Sequence, residues 1–120
     1  MLRDLAKRYA DIIQQVEVER FHVVGESYEL RASCSLKDGL KLFVKDYLFL
    51  DGTRKYAYHW QDDKGQLISR WDNAPHWKVL KSFPHHRHMG SEDRVESSDV
   101  RTLEDALKCI RGQSKTKKRQ

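Results

Sequence analysis

The sequence has few of the residues that stabilise small extracellular domains, and it has no run that could cross a membrane. Its two cysteines, Cys34 and Cys109, lie far apart and form no CxxC pair. This spacing excludes a disulfide framework and a four-cysteine zinc site, and it predicts reduced thiols. No stretch approaches about 18 apolar residues, and Arg3, Asp4 and Lys7 stand where a signal peptide would need an apolar run. We therefore expect a soluble, cytoplasmic protein without membrane contact.

The sequence also lacks the motifs of several enzyme classes and has little excess charge. It contains no Walker-type or GxGxxG loop, no HExxH pair and no nucleophile elbow, and no cofactor is expected. Four of the five net positive charges come from Lys115, Lys117, Lys118 and Arg119, which leaves 19 basic and 18 acidic residues elsewhere. The rest of the chain is nearly neutral, so any basic surface depends on how its charges are arranged.

One segment of the chain concentrates its reactive side chains. A chain of 120 residues is long enough for one hydrophobic core but too short for two, so one domain with one site is expected. Tyr56–His88 holds all three tryptophans, both prolines and five of the six histidines. This concentration exceeds what core packing requires, so we expect the site in this segment.

The hydrophobic pattern predicts an α+β fold. Along the chain, an N-terminal helix comes first, an antiparallel β-meander follows, and a short helix comes last. Apolar residues at helical spacing predict an amphipathic helix over residues 2–15. Runs rich in β-branched and aromatic residues, separated by turn signals, predict a sheet of about five strands. The predicted strands are Val16–Val24, Tyr28–Leu36, Leu40–Leu50, Arg54–Gln61 and Gln66–Asp72.

The C-terminal part is predicted to contain less regular structure. Asn73-Ala74-Pro75 ends the strand pattern, so residues 73–88 are predicted as a loop or short edge strand, followed by a polar connector over residues 89–98. Thr102 and Asp105 form a capping-box signature for a short final helix that ends at Gly112. Residues 113–120 have no apolar side chain to bury. They are predicted to be a disordered basic tail after a single domain at residues 1–112.

The two central hairpins predict which side chains share a face of the sheet. Leu50 is paired with Thr53 through a two-residue turn at Asp51-Gly52, and Gln61 is paired with Gln66. The first face is then aromatic, with Phe43, Lys45, Tyr47, Tyr56, Tyr58, Trp60, Leu67, Ser69 and Trp71. The second is aliphatic with a polar set, and it carries Val44, Asp46, Leu48, Lys55, Ala57, His59, Ile68, Arg70 and Asp72. This register puts His59 between Val44 and Ile68, and it puts Arg70 opposite Ala57 and one strand from Asp46.

The polar set has residue types that suit cleavage of a phosphodiester without a metal. His59 is the candidate acid or base and Arg70 the candidate phosphate-binding cation, and His86 and His88 complete the candidate catalytic set. The candidate substrate-binding residues are Lys55, Trp60, Trp71, His85 and Arg87, and the candidate orienting residues are Asp46 and Asp72. The structural alternative makes Arg70 an ion-pair partner, His59 a hydrogen-bonded core residue and the aromatic face the core under the helices.

The histidines at the end of the segment also allow a metal hypothesis. His86 and His88 point to the same side of an extended strand, and His76 or His59 would complete a tetrahedral set. The spacing matches no closed zinc site and Arg87 adds repulsion, so no bound metal is expected. A more economical interpretation of these histidines is that they are protonated and contact phosphate beside Arg87. The remaining alternative is a polar loop that forms no site.

Two segments of the sequence resemble a known family. YHWQDDKGQLISRWDNAPHW followed by FPHHRH is similar to the TumE-like toxin family of prokaryotic type II toxin–antitoxin systems. The resemblance implies a cytotoxic protein that a cognate helix-turn-helix antitoxin neutralises. The resemblance leads us to expect a second histidine directly after His76, and Trp77 stands at that position instead. The predicted layout also looks like that of RelE-like and barnase-like ribonucleases, an analogy of fold that favours RNA as the target.

These features together predict a toxin that acts as a metal-independent endoribonuclease. Its partners are an antitoxin and RNA. Such an enzyme activates the ribose 2′-hydroxyl, so DNA stays intact, whereas a metal enzyme activates water instead. Two alternatives stay open: a non-enzymatic module that binds RNA or protein, and a metal-dependent nuclease that uses the histidine cluster.

Overall fold

In the computed structural model, the protein is a seven-stranded antiparallel sheet with two helices packed on one face. The structure describes the backbone of residues 2–119 and the side chains of residues 2–113. The strands follow chain order across the sheet, which confirms the predicted α+β meander with two strands more than expected. The elements are α1 (Leu2–Arg8), β1 (Ile13–Val24), β2 (Ser27–Leu36), β3 (Lys41–Leu48), β4 (Arg54–Gln61), β5 (Leu67–Asp72), β6 (His86–Met89), β7 (Val95–Ser97) and α2 (Leu103–Arg119).

The two additional strands, β6 and β7, extend the sheet beyond the last predicted strand. β6 lies at the end of the segment predicted as a loop or short edge strand, and β7 lies in the predicted polar connector. Their sequences, HRHM and VES, lack the alternation of apolar and polar residues that identifies a strand. They are strands because they pair with neighbours already in the sheet, β6 with β5 and β7 with β6.

The N-terminal helix is shorter than predicted. Its last residue is Arg8, and the backbone N–H groups of Ile12 and Ile13 both donate to the carbonyl of Tyr9, at 3.0 and 2.8 Å. This turn directs the chain into β1, so residues assigned to the helix by their spacing begin the first strand instead.

The C-terminal helix begins as predicted but ends later. Asp105 N donates to Thr102 Oγ1 over 3.1 Å and Thr102 N donates to Asp105 Oδ2 over 3.2 Å, which confirms the capping box. The predicted end at Gly112 is wrong: α2 continues to Arg119, because Gly112 does not adopt the left-handed conformation of a helix C-cap. The side chains of residues 114–120 lie outside the described residues, so the tail at 113–120 and the domain limit at residue 112 stay predictions.

Each of the two central hairpins closes through a three-residue loop. Phe49 N donates to Thr53 O over 2.8 Å, so the first loop consists of residues 50–52 and the predicted two-residue turn is wrong. The second loop, between β4 and β5, closes in the same way. Gly52 and Gly65 are the last residues of these loops, and their φ angles of 86° and 84° lie in the left-handed region. Loops of this kind place glycine there because other residues are strained in that conformation.

The longer first loop moves β3 by one residue relative to β4. A shift of one residue moves every side chain to the other face of the sheet. Phe43 therefore pairs with His59, whereas Val44 pairs with Tyr58 and Asp46 with Tyr56. The prediction that His59 lies beside Val44 and shares a face with Asp46 is wrong.

The loop and a bulge in the second hairpin each move β5 by one residue relative to β4, so the total shift from the predicted register is two residues. The register shift lies between Trp60 and Gln61. A two-residue shift keeps the predicted faces of β4 and β5 but changes the pairs. Arg70 consequently lies opposite His59 rather than Ala57.

The hydrophobic core lies between the helices and the aromatic side chains of the sheet. Tyr56, Tyr58, Trp60 and Trp71 are each at most 2% exposed, and they pack with apolar residues of both helices. We call this side the helix face. The opposite side, the open face, carries Phe43, Lys45, Tyr47, Lys55, Ala57, His59, Arg70, Asp72, His86 and His88.

Both cysteines are free thiols, as the sequence predicts. Burial raises the pKa of Cys34 to about 11, so this thiol is protonated at neutral pH. In the part of the chain that the structure describes, no helix combines the length and the apolar character needed to span a bilayer.

Candidate functional site

Strand pairing brings the four predicted catalytic residues together on the open face. His59 on β4 lies directly opposite Arg70 on β5, and Arg70 lies opposite His88 on β6. In the next row Ala57 lies opposite Asp72, which lies opposite His86. Paired side chains on one face of an antiparallel sheet are close enough to interact directly. The polar set predicted from separate segments is therefore one contiguous group.

Asp72, predicted as an orienting residue, is the centre of this group. Its Oδ1 lies 2.8 Å from His86 Nε2, and its Oδ2 lies 3.5 Å from His88 Nε2. Arg70 Nε donates to Oδ2 over 3.2 Å, and the backbone N–H of Ala74 donates to Oδ1 over 3.0 Å. One carboxylate thus contacts three of the four predicted catalytic side chains.

The two imidazoles beside Asp72 are held in a defined orientation. His86 Nδ1 lies 3.0 Å from the carbonyl of Pro84, and His88 Nδ1 lies 2.9 Å from the carbonyl of Glu92. A carbonyl oxygen can only accept, so each Nδ1 carries the hydrogen and each Nε2 is directed at the carboxylate.

The histidines of β6 are shielded from solvent. His86 and His88 are 1% and 5% exposed, and the indole of Trp77 lies 6.4 and 6.3 Å from their ring centroids. The Trp77 ring packs on this pair. Neither imidazole is positioned to touch a large substrate directly.

Arg70 reaches from this buried group towards the surface. Besides Asp72, its guanidinium binds both carboxylate oxygens of Glu92, with Nη1 at 2.6 Å from Oε1 and Nη2 in contact with Oε2. These hydrogen bonds lower the pKa of Glu92. The Glu92 side chain is 59% exposed, so an anion from solvent can take its place at the guanidinium at little cost. No signal in the sequence marked Glu92 as a partner of Arg70.

His59 is half-buried at the edge of an open groove. Its Nε2 lies 3.1 Å from Gln61 Oε1, and its ring packs against Phe43 at 6.2 Å between centroids. Burial, with the positive charge of Arg70, lowers the pKa of His59. The imidazole is therefore neutral at pH 7 and can accept a proton.

The groove beside His59 has a volume of about 250 Å³, and its walls include Arg31, Phe43 and Lys45. Sequence reasoning missed these three residues as neighbours of His59 because it placed β3 in the wrong register. The signal was present: an Asp-Gly loop also fits the three-residue hairpin, which puts the odd-numbered residues of β3 beside His59.

Three other predicted site residues lie in the core instead. Trp60 and Trp71 stack on each other on the helix face, 6.4 Å apart and each 1% exposed, so they cannot stack on a base. Asp46 accepts hydrogen bonds from Arg54 at 2.8 and 2.9 Å and from Tyr58 at 2.9 Å. It therefore does not orient Arg70.

The remaining predicted substrate-binding residues are divided between the two faces. Arg87 donates to Ser69 Oγ over 2.7 Å and lies over the Trp71 ring, and His85 Nδ1 lies 2.7 Å from the Tyr56 hydroxyl, so both are on the helix side. Strand alternation separates Arg87 from its two histidine neighbours. Lys55 is exposed on the open face, opposite Tyr47.

Comparison with known proteins agrees with the family suggested by the sequence. The family model described as Toxin TumE matches residues 2–114, a span that includes every strand and the candidate site. No curated protein matches the chain, and no solved structure does. The match extends far beyond the two segments that first indicated the resemblance. The chain therefore belongs to the TumE toxin family.

Proposed function

We propose that this protein is a cytoplasmic toxin that stops growth by cutting RNA on the open face, with no metal taking part in the reaction. The observation that carries this proposal is the direct pairing of His59 with Arg70 beside a groove lined by cationic and aromatic side chains. The family of toxins to which the chain belongs supports the cytotoxic role, and it implies an antitoxin partner.

The reaction divides between a base and a cation. Neutral His59 accepts the proton of a ribose 2′-hydroxyl, whose oxygen then attacks the adjacent phosphorus. The guanidinium of Arg70 releases Glu92 and stabilises the charge that develops on the phosphorane oxygens. The bond from phosphorus to the 5′ oxygen breaks, this oxygen takes a proton from solvent, and His59 returns its proton to water. The products are a 2′,3′-cyclic phosphate and a 5′-hydroxyl.

His86 and His88 have a different role in this proposal from the one predicted. Their burial beneath Trp77 argues against contact with RNA. Both imidazoles contact Asp72, and Asp72 accepts a hydrogen bond from Arg70. They act as positioning residues that hold the carboxylate, which in turn fixes the direction of the guanidinium.

The RNA backbone binds along the open face. Arg31, Lys45 and Lys55 extend from neighbouring strands on this side, and Arg31 Nε donates to the Tyr47 hydroxyl over 2.7 Å. Phosphate contacts of this type give affinity without sequence preference. Phe43, which is 38% exposed next to His59, offers a ring on which one base can stack.

The product ends test the chemistry. Purified protein incubated with a mixed-sequence RNA should leave 2′,3′-cyclic phosphate ends, and an all-deoxy oligonucleotide of the same sequence should stay intact because it lacks the attacking hydroxyl. Mass spectrometry of the fragments identifies the ends. A substrate with one ribose in a DNA strand is the matched control, since it should be cut only after that ribose. Cleavage of DNA, or 3′-hydroxyl ends on RNA, would show that water is the nucleophile.

The toxin role is tested in cells. Induced expression of this chain in a bacterial host should arrest growth, and co-expression of the antitoxin encoded beside it should restore growth. We propose a helix-turn-helix protein as this antitoxin. Growth is followed by optical density with soluble expression verified on a gel. Normal growth at full expression would contradict the proposal, and arrest without RNA cleavage would indicate a module that binds rather than cuts.

A further inference from the structure

The side chains of Asp72, His86 and His88 form a buried cluster whose potential ligand atoms face one another. Both imidazoles use their Nδ1 hydrogens on backbone carbonyls, which leaves each Nε2 directed at the carboxylate. Asp72 Oδ1 and His86 Nε2 are only 2.8 Å apart, so a carboxylate oxygen and an imidazole nitrogen that suit the same metal ion lie side by side. The two histidines are at most 5% exposed, so an ion held here is shielded from solvent.

We propose that Asp72, His86 and His88 bind a divalent transition-metal ion, with Zn²⁺ as the best match to two nitrogen ligands and one oxygen ligand. The three ligand atoms lie within 4.8 Å of one another. A tetrahedral ion with bonds of about 2.0–2.1 Å separates its ligand atoms by about 3.3 Å. Asp72 meets the imidazoles through different oxygens, Oδ1 at 2.8 Å from His86 Nε2 and Oδ2 at 3.5 Å from His88 Nε2, and these distances lie on either side of this value.

The surroundings of the cluster are those of a metal site. The Nδ1–H groups of metal-binding histidines almost always donate to a carbonyl, carboxylate or water, and here they donate to Pro84 and Glu92. Asp72 Oδ1 is fixed by the N–H of Ala74. Arg70 shares its positive charge between Asp72 and Glu92, so the carboxylate of Asp72 keeps part of its negative charge for an ion.

The fold also explains why this set differs from the ligands considered in the sequence. His59 lies two strands from His88, and its Nε2 contacts Gln61. His76 is exposed in the connection between β5 and β6. The carboxylate of Asp72 takes the place that a third histidine was expected to fill, because β5 and β6 pair so that Asp72 lies opposite His86.

A metal here would join two neighbouring strands of the open face, β5 and β6, which the chain connects only through residues 73–85. It would link the end of β5 to β6 and hold both imidazoles under the indole of Trp77. Such an ion is architectural, because the reaction proposed above takes place at His59 and Arg70. Metal binding and RNA cleavage can therefore be measured separately, and failure of one does not imply failure of the other.

The test uses the full chain without a histidine tag, stripped with a chelator and titrated with Co²⁺. We expect one equivalent to bind with the intense visible d–d bands of a four-coordinate site, without a thiolate charge-transfer band, and Zn²⁺ to displace it. Zn²⁺ should also raise the melting temperature of the wild-type protein. Asp72→Asn, His86→Gln and His88→Gln should each weaken Co²⁺ binding by at least about tenfold.

Two exposed histidines provide matched controls for these variants. His22→Gln and His76→Gln should bind Co²⁺ like the wild type, which separates the buried cluster from adventitious surface binding. Circular dichroism checks the fold of each variant, and the wild-type spectrum carries the test if a ligand variant does not fold. Absence of stoichiometric Co²⁺ and Zn²⁺ binding by the wild type would overturn the proposal. Binding that the three ligand substitutions leave unchanged in folded protein would overturn it as well.

Discussion

Replacing His59 by Ala is expected to lower RNA cleavage by about 10²- to 10⁴-fold, because a positioned general base contributes a factor of that size. The fold should tolerate this change, since the imidazole is half-buried and its Nε2 makes one hydrogen bond, to Gln61. The measurement is kcat/KM on a short RNA, together with relief of growth arrest when the variant is expressed. Urea denaturation should give nearly the wild-type stability.

The control for His59→Ala is His22→Ala, since His22 is exposed on β1 and far along the sheet from the site. It should retain full cleavage and toxicity. Arg70→Lys keeps the charge but loses the forked geometry that binds two oxygens, so it should also cut poorly while remaining folded. If His59→Ala and Arg70→Lys both unfold the protein, the role of these two side chains is structural and the proposed site is wrong.

Replacing Trp60 by Ala is expected to lower the free energy of unfolding by about 3–5 kcal/mol, since it empties a large space in the core. Trp60 is 1% exposed and stacks on Trp71 beneath the helices. Because folded proteins are only marginally stable, such a loss removes a large part of the total free energy of unfolding. Soluble expression should therefore fall as well. Urea denaturation followed by circular dichroism measures the change.

Two other variants show whether the loss at Trp60 comes from core packing. Trp60→Phe keeps most of the buried volume. The Nε1 that this change removes from Trp60 donates to no acceptor among the residues that the structure describes, so no hydrogen bond is lost. This variant should therefore lose much less stability than Trp60→Ala. Trp77→Ala removes an indole that is 37% exposed, and it should cost less than Trp60→Ala. Equal losses for Trp60→Ala and Trp77→Ala would contradict the assignment of the helix face as the main core.

The sequence predicted the faces of β4 and β5 but not their partners. Alternation alone puts His59, Arg70 and Asp72 on one side of these strands, and Tyr58 and Trp71 on the other. The partners depend on loop length, and a glycine after aspartate suits both a two-residue and a three-residue hairpin. The structure uses three residues at Gly52, so Asp46 lies in the core and Phe43 lies beside His59.

The contacts around Asp72 could not be derived from local patterns. They require β6 to pair with β5 across the connection at residues 73–85. The sequence of β6 lacks the alternation of apolar and polar residues that would identify it as a strand. The histidines were recognisable as reactive residues from their spacing. Their burial was not, because it depends on where Trp77 packs.

The order of the strands also determines when the toxin becomes complete during synthesis. Each strand pairs with the one made immediately before it, so the meander can assemble from its N-terminal end as the chain leaves the ribosome. The aromatic side of β4 and β5 then stays uncovered until α2, the last element, has been translated. A chain that stops before Leu103 presents this apolar surface to chaperones and proteases. Incomplete chains are therefore substrates for quality control, and the toxin folds completely only after α2 has been made.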